Sequence, residues 1–168
     1  MEREITNIPI RRVKELGFYM NESLYKAGPE NVVNIQLGAQ LGHDVSQNLV
    51  LLFTRIFYHY IDSPSTDILA DIQVQTIFEI EELSQFLVSD MEIKLPPLVI
   101  SEMVGASFSH SRALLSNNLA GTYWQENYLE LISCERLARH FFPSMFEGHA
   151  TKAKASKDPI KRGARKVN

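Results

Sequence analysis

A single cysteine, Cys134, stands in the whole chain, so no internal disulfide can form. The five histidines, His43, His59, His110, His140 and His149, include no closely spaced pair of the kind that holds a metal, and Cys134 has no second cysteine near it. His140 lies six residues from Cys134, which puts the two on different faces of a helix. Cys134 itself falls in an apolar-rich segment and is expected to be a buried, inert thiol. Glycine-rich phosphate loops and nucleophile elbows are also missing. Glu79, Glu81 and Glu82 gather at a strand end, where a solvated cap is the ordinary reading. No apolar run approaches the ~20 residues of a membrane helix. The start, Met1-Glu2-Arg3-Glu4, is acidic and polar, unlike a signal peptide. These absences predict a cytoplasmic protein with no catalytic constellation, no metal and no cofactor.

What remains is a chain of 168 residues, 45% apolar and 22% charged, enough for one domain with its own core. Its net charge of −3 is unevenly spread. Residues 151–168 carry seven cations against Asp158 alone, a balance of +6, which leaves −9 on the first 150. Pro159, Gly163 and the lack of apolar periodicity mark 151–168 as a basic disordered tail behind a folded unit at 1–150. Such a tail aids solubility or recruits a polyanion. A nucleic-acid-associated scaffold is therefore one reading, opposed by the body at −9, which repels phosphate.

Four segments read as strands: about 8–20, 32–41, 48–60 and 68–80. In the second, Val33, Ile35, Leu37, Ala39 and Leu41 alternate with polar residues, the period of a sheet with one dry face. The third is apolar on both faces, with Leu49, Leu51, Phe53 and Phe57 on one and Val50, Leu52, Ile56 and Tyr58 on the other. Such a strand suits a subunit interface or a second covering layer. In the fourth, Ile72, Val74, Phe78 and Ile80 oppose Leu69, Asp71, Gln73 and Gln75. Short links predict an antiparallel meander. Residues 81–87 fit a short helix or an irregular link. Beyond Pro96-Pro97, Ile100, Met103, Val104, Phe108, Leu115 and Leu119 follow three-and-four spacing, a helix over about 98–119 that Gly121 ends. A second helix is expected over about 129–140. The fold class is α+β, a four-stranded antiparallel sheet followed by a helical hairpin.

Apolar residues exceed what one small sheet can bury, and Tyr123, Trp124, Tyr128, Phe141 and Phe142 add aromatics around the hairpin. Excess of this kind implies oligomerisation, client binding or both.

The ordered set of elements resembles the SecB family of export chaperones, over about residues 10–137. Arg12-Val13-Lys14-Glu15-Leu16-Gly17-Phe18 is similar to that family's first strand. The run from Leu69 through Asp71 to Ile77-Phe78-Glu79-Ile80 is similar to its fourth. Phe108-Ser109-His110-Ser111-Arg112, followed by Gly121-Thr122-Tyr123, resembles its long helix and the loop after it. The resemblance implies an ATP-independent holdase, assembled as a dimer of dimers, that keeps unfolded preproteins in apolar grooves and docks on the motor SecA. It puts Phe53, Phe57, Tyr123, Trp124 and Tyr128 at the client, and Glu15, Leu69 and Asp71 on the docking face. A second acidic docking position falls at Tyr19. The tail carries no cysteine, so the zinc cluster of some family tails is not implied. Related chaperones serve toxin–antitoxin systems, and the sequence leaves preprotein and antitoxin clients both open.

Overall fold

The computed structural model describes residues 7–28, 30–62, 67–127 and 132–147. The basic tail and Tyr128 lie outside them. Strands β1 (Ile10–Met20), β2 (Val33–Asp44), β3 (Leu49–Tyr60) and β4 (Ala70–Glu79) form one antiparallel sheet. Helices α1 (Pro97–Leu119) and α2 (Cys134–Phe141) follow.

The strand order is β1-β4-β3-β2, which corrects the expected meander. Only β2, β3 and β4 are joined as consecutive neighbours. Residues 21–32 carry the chain from β1 across to the opposite edge, a Greek-key connection. The composition explains the preference. This order gives both central places to β3 and β4, whose inward residues are buried throughout. A meander would have centred β2, with its amides and its Gly38 and Gly42, and left β4 at an edge. The β2–β3 link also differs, because β2 runs through Gly42 to Asp44. There the Asp44 carboxylate accepts from Ser46 Oγ (2.7 Å) and Gln47 N (3.2 Å), and Asn48 takes a left-handed φ of 57°. The hydroxyl of Ser46 is the main cause that lowers the Asp44 pKa.

Register sorts the side chains into two faces. Opposed pairs Leu37–Ile56–Ile72, Ala39–Thr54–Val74 and Leu41–Leu52–Thr76 point to the side that carries the helices. Val50, Leu52, Ile56, Ile72 and Val74 are fully buried there. Helix α1 lies across this face through Ile100, Met103, Val104, Phe108, Leu115 and Leu119. Ser107 and Ser111 are fully buried between them, and small side chains let the helix approach the sheet closely. Ser111 Oγ shares a 2.6 Å hydrogen bond with Thr54 Oγ1, so the contact is satisfied as well as close.

The link 81–87 resolves into a single 3-10 turn, Leu83–Phe86, with Leu83 fully buried. A small hairpin of β5 (Leu87–Ser89) and β6 (Glu92–Ile93), which the periodicity did not indicate, leads into α1. Helix α2 starts at Cys134, with Ser133 capping Arg136 N, later than expected. Residues 129–131 of the anticipated helix lie outside the described residues. Cys134 is exposed, not buried as its apolar neighbourhood implied, because it opens the helix at its outer end. Its Sγ nevertheless covers Gly105 of α1, where an added Cβ would collide with it. Glycine at 105 thus sets how closely the two helices pack.

Candidate functional site

The crossover segment brings a residue from 21–32 to the loop after α1. Asn21 caps the turn Glu22–Leu24 through its Oδ1 (3.1 Å to Ser23 N), and Tyr25 follows in extended conformation. At the far side, Gly121 adopts φ 79°, a value glycine accepts without strain, and ends α1 where expected. The chain then folds back on itself. Thr122 Oγ1 donates to Leu119 O (2.8 Å), Gln125 Oε1 accepts from Gly121 N (3.0 Å), and Tyr58 Oη donates to Asn127 O (2.7 Å).

These two segments build an aromatic ridge. The rings of Tyr25 and Tyr123 stack at 4.3 Å and 15°, yet stay 41% and 61% exposed. Beneath them Trp124 is 1% exposed and meets Tyr25 and Tyr60 edge-on at 5.4 and 5.9 Å. Tyr60 Oη accepts from Lys26 N (2.8 Å), which fixes the crossover on the cluster. The indole N–H of Trp124 has no partner among the described residues. A cavity of about 410 Å³ opens beside the ridge, between α1 and residues 125–127.

The expected client residues therefore divide. Tyr123 stands on the surface. Trp124 is the floor under the ridge, which corrects its place as a contact: a side chain 1% exposed cannot meet a ligand in this conformation. Tyr128 lies outside the described residues. Phe53 and Phe57 are half-buried on the other face of the sheet, which the helices leave open. They line a separate hollow of about 450 Å³ with Leu16, Gly38 and Gln73. Arg55 crosses it, bonded to both oxygens of Asp71 (2.9 and 2.6 Å) and set over the Phe57 ring at 4.7 Å. Tyr25 escaped the sequence reading. Its only signal was a large aromatic in a link with no apolar period to explain it.

The three docking residues also separate. Glu15 is on the helix side of the sheet and accepts from Asn118 Nδ2 (2.9 Å). Asp71 is on the open face, held by Arg55. Leu69 is fully buried, which corrects its assignment to a surface, since it closes the core at the start of β4. Among the described residues, no three His, Cys, Asp or Glu side chains converge as a metal site, and no helix is long and apolar enough to cross a membrane.

Tyr58 gives the site a measurable pH signature. Burial pushes its phenol up to about 12, from 10.0. The folded state holds the proton more tightly than the unfolded one, so this stability is complete below pH ~10 and is lost as pH rises through ~12. At ~1.4 kcal/mol per unit, and with partial solvent contact discounting the full shift, the loss by pH 12 is on the order of 1–2 kcal/mol. Denaturant unfolding between pH 9 and 12 is expected to fall by that order in the unaltered protein and to be flatter in Tyr58→Phe.

A Greek-key antiparallel sheet with a long helix across one face, and a shorter helix behind it, defines a SecB-like fold. Among solved structures, the chain is similar to the Mycobacterium tuberculosis Rv1957 SecB-like chaperone, in complex with a ChAD peptide from the Rv1956 HigA1 antitoxin. The TM-score is 0.55 at 13% identity, over 75% of this chain and 90% of that one. No family model matches the sequence, and no curated protein does.

Proposed function

We propose that this protein is an ATP-independent holdase chaperone that binds unfolded polypeptide at the Tyr25–Tyr123 ridge. The observation that carries this reading is a stacked pair of tyrosines left largely open to solvent above a buried tryptophan. Such a surface offers apolar area in rigid side chains and accepts extended chains of varied sequence. No covalent step is involved. Phe53 and Phe57 form a second apolar surface, on the sheet face opposite the helices. The peptide in the similar mycobacterial structure comes from an antitoxin, which favours an antitoxin over a preprotein as client. The dispersal of Glu15, Leu69 and Asp71 gives no support to SecA docking. A scaffold role on nucleic acid stays the weaker reading, since −9 on residues 1–150 opposes phosphate. The reading places the protein in the cytoplasm.

The functional form is a homo-oligomer, with a tetramer as the proposed state. Met103 and Leu115 of helix α1 are not available to it, because they point into the chain's own core. The support comes from β1, an edge strand with Ile10, Val13, Leu16 and Tyr19 between 38% and 50% exposed. An open edge of that length invites a second strand. Light scattering is expected to report an oligomer for the unaltered protein and a smaller species for Val13→Lys/Leu16→Lys; an unaltered mass in the variant would remove β1 from the interface. The chaperone reading itself is tested by aggregation of a chemically unfolded client. Suppression at near-equimolar protein, with no response to ATP, is expected. Aggregation that proceeds unchanged in the presence of excess protein would reject it.

A further inference from the structure

The cavity beside the ridge has a chemical bias that an apolar groove does not need. Its wall on α1 is Ser109, Arg112, Ala113 and Ser116, spaced so that all four share one helix face. Its floor is apolar, Leu115 and Leu119 with the Tyr58 ring, and Gln125 and Asn127 close the far side. Arg112 is half-buried and makes no hydrogen bond or ion pair with any described residue. The Gln125 carbonyl is already bonded to Gly121 N, which leaves its amide N–H free to donate. Ser116 Oγ–H is also uncommitted. No lining residue is acidic. The cavity therefore presents a cation and neutral donors with no carboxylate of its own to answer them. Such a set is matched by a carboxylate, which accepts from a guanidinium fork and from neighbouring N–H and O–H groups together.

Position supplies the source. Residues 122–127 form one turn of chain whose outer residue, Tyr123, belongs to the ridge and whose last residues, Gln125 and Asn127, belong to the cavity. A chain lying over the ridge can thus place a neighbouring side chain in the cavity. We infer that Arg112 reads an acidic side chain, Asp or Glu, adjacent to the apolar segment of a bound extended polypeptide. The inference rests on the proposed client site and gives it a sequence preference.

The test uses two short labelled peptides, each an apolar–aromatic segment followed by Glu in one and by Gln in the other, with binding to the full-length protein followed by fluorescence anisotropy. The Glu peptide is expected to bind roughly ten-fold tighter, an advantage of the size a charge-assisted pair gives. Arg112→Gln should abolish that advantage and keep the affinity for the Gln peptide. Arg112→Lys should retain part of it. The pair of peptides on the unaltered protein carries the test even if the Arg112→Gln variant fails to fold. Equal binding of the two peptides would overturn the carboxylate assignment and leave the client site standing. Failure of both to bind would overturn the site and this inference with it. Displacement of both peptides alike by millimolar succinate, with no Glu preference, would mean a cavity for free carboxylates and would overturn the peptide source.

Discussion

Replacing Trp124 by serine is expected to unfold the protein or leave it a loose aggregate. Its ring is 1% exposed and joins the crossover, the end of β3 and the loop after α1 through Tyr25 and Tyr60. Removing a buried aromatic of this size costs about 3–5 kcal/mol, which is much of the 5–15 kcal/mol that separates folded from unfolded states. Trp124→Phe retains most of the packing and, since the indole N–H bonds to nothing described, forfeits no hydrogen bond. Thermal unfolding with near-ultraviolet circular dichroism would check both variants. A cooperative Trp124→Ser protein with a nearly unchanged midpoint would mean that the ring is peripheral, and that the cluster does not hold the crossover to the loop after α1.

The second large effect separates binding from folding. Tyr25→Ser/Tyr123→Ser removes two rings that are 41% and 61% exposed, and their loss leaves no enclosed cavity. Part of each ring's burial is in the stack itself, so a cost of about 1 kcal/mol is expected from stability. Against a client, the same pair supplies open aromatic area next to the cavity. Burying each ring contributes roughly 1.5–3 kcal/mol, so losing both weakens binding by ten-fold or more. Aggregation suppression should collapse while the melting temperature moves by a few degrees. Full suppression in a folded double variant would remove the ridge from the client site and turn attention to Phe53 and Phe57 on the open sheet face.

The four long strands and the first helix were legible because each one's apolar period is strong; the 87–93 hairpin and the start of the second helix carry no such period. Alternation from Val33 to Leu41 and three-and-four spacing from Ile100 to Leu119 gave strand and helix within two or three residues of their observed limits. Strand order was not legible. Nothing in residues 21–32 says that the link crosses the sheet, and a short antiparallel link is the simpler expectation. The two faces of β3 were both visible as apolar, but not which one the helices cover. That depends on register, which aligns Ile56 with Leu37 and Ile72 while putting Phe53 beside Gln40 and Gln75. The candidate site was half legible for the same reason. Tyr123 and Trp124 are adjacent in sequence and were read together, although successive residues turn opposite ways and only one reaches solvent. Tyr25 joins them from about a hundred residues away, and a lone aromatic in a link does not say which distant rings it meets. Cys134 was misplaced because composition reports a segment's average and not the position of a helix's first residue.

The β1–β4 pairing also sets the order of assembly. Ile10 meets Phe78 and Met20 meets Ala70, so the first strand's ladder closes over at least about fifty residues of intervening chain. The β2–β3 and β3–β4 ladders close over short links, cost far less chain entropy and can form first. During synthesis the first of these four strands to emerge is thus the last to find its partner. Until β4 has been made, β1 has both edges open, with Val13, Leu16 and Tyr19 uncovered. A nascent chain of this protein passes through the unpaired, apolar condition that its finished fold is proposed to shelter in others.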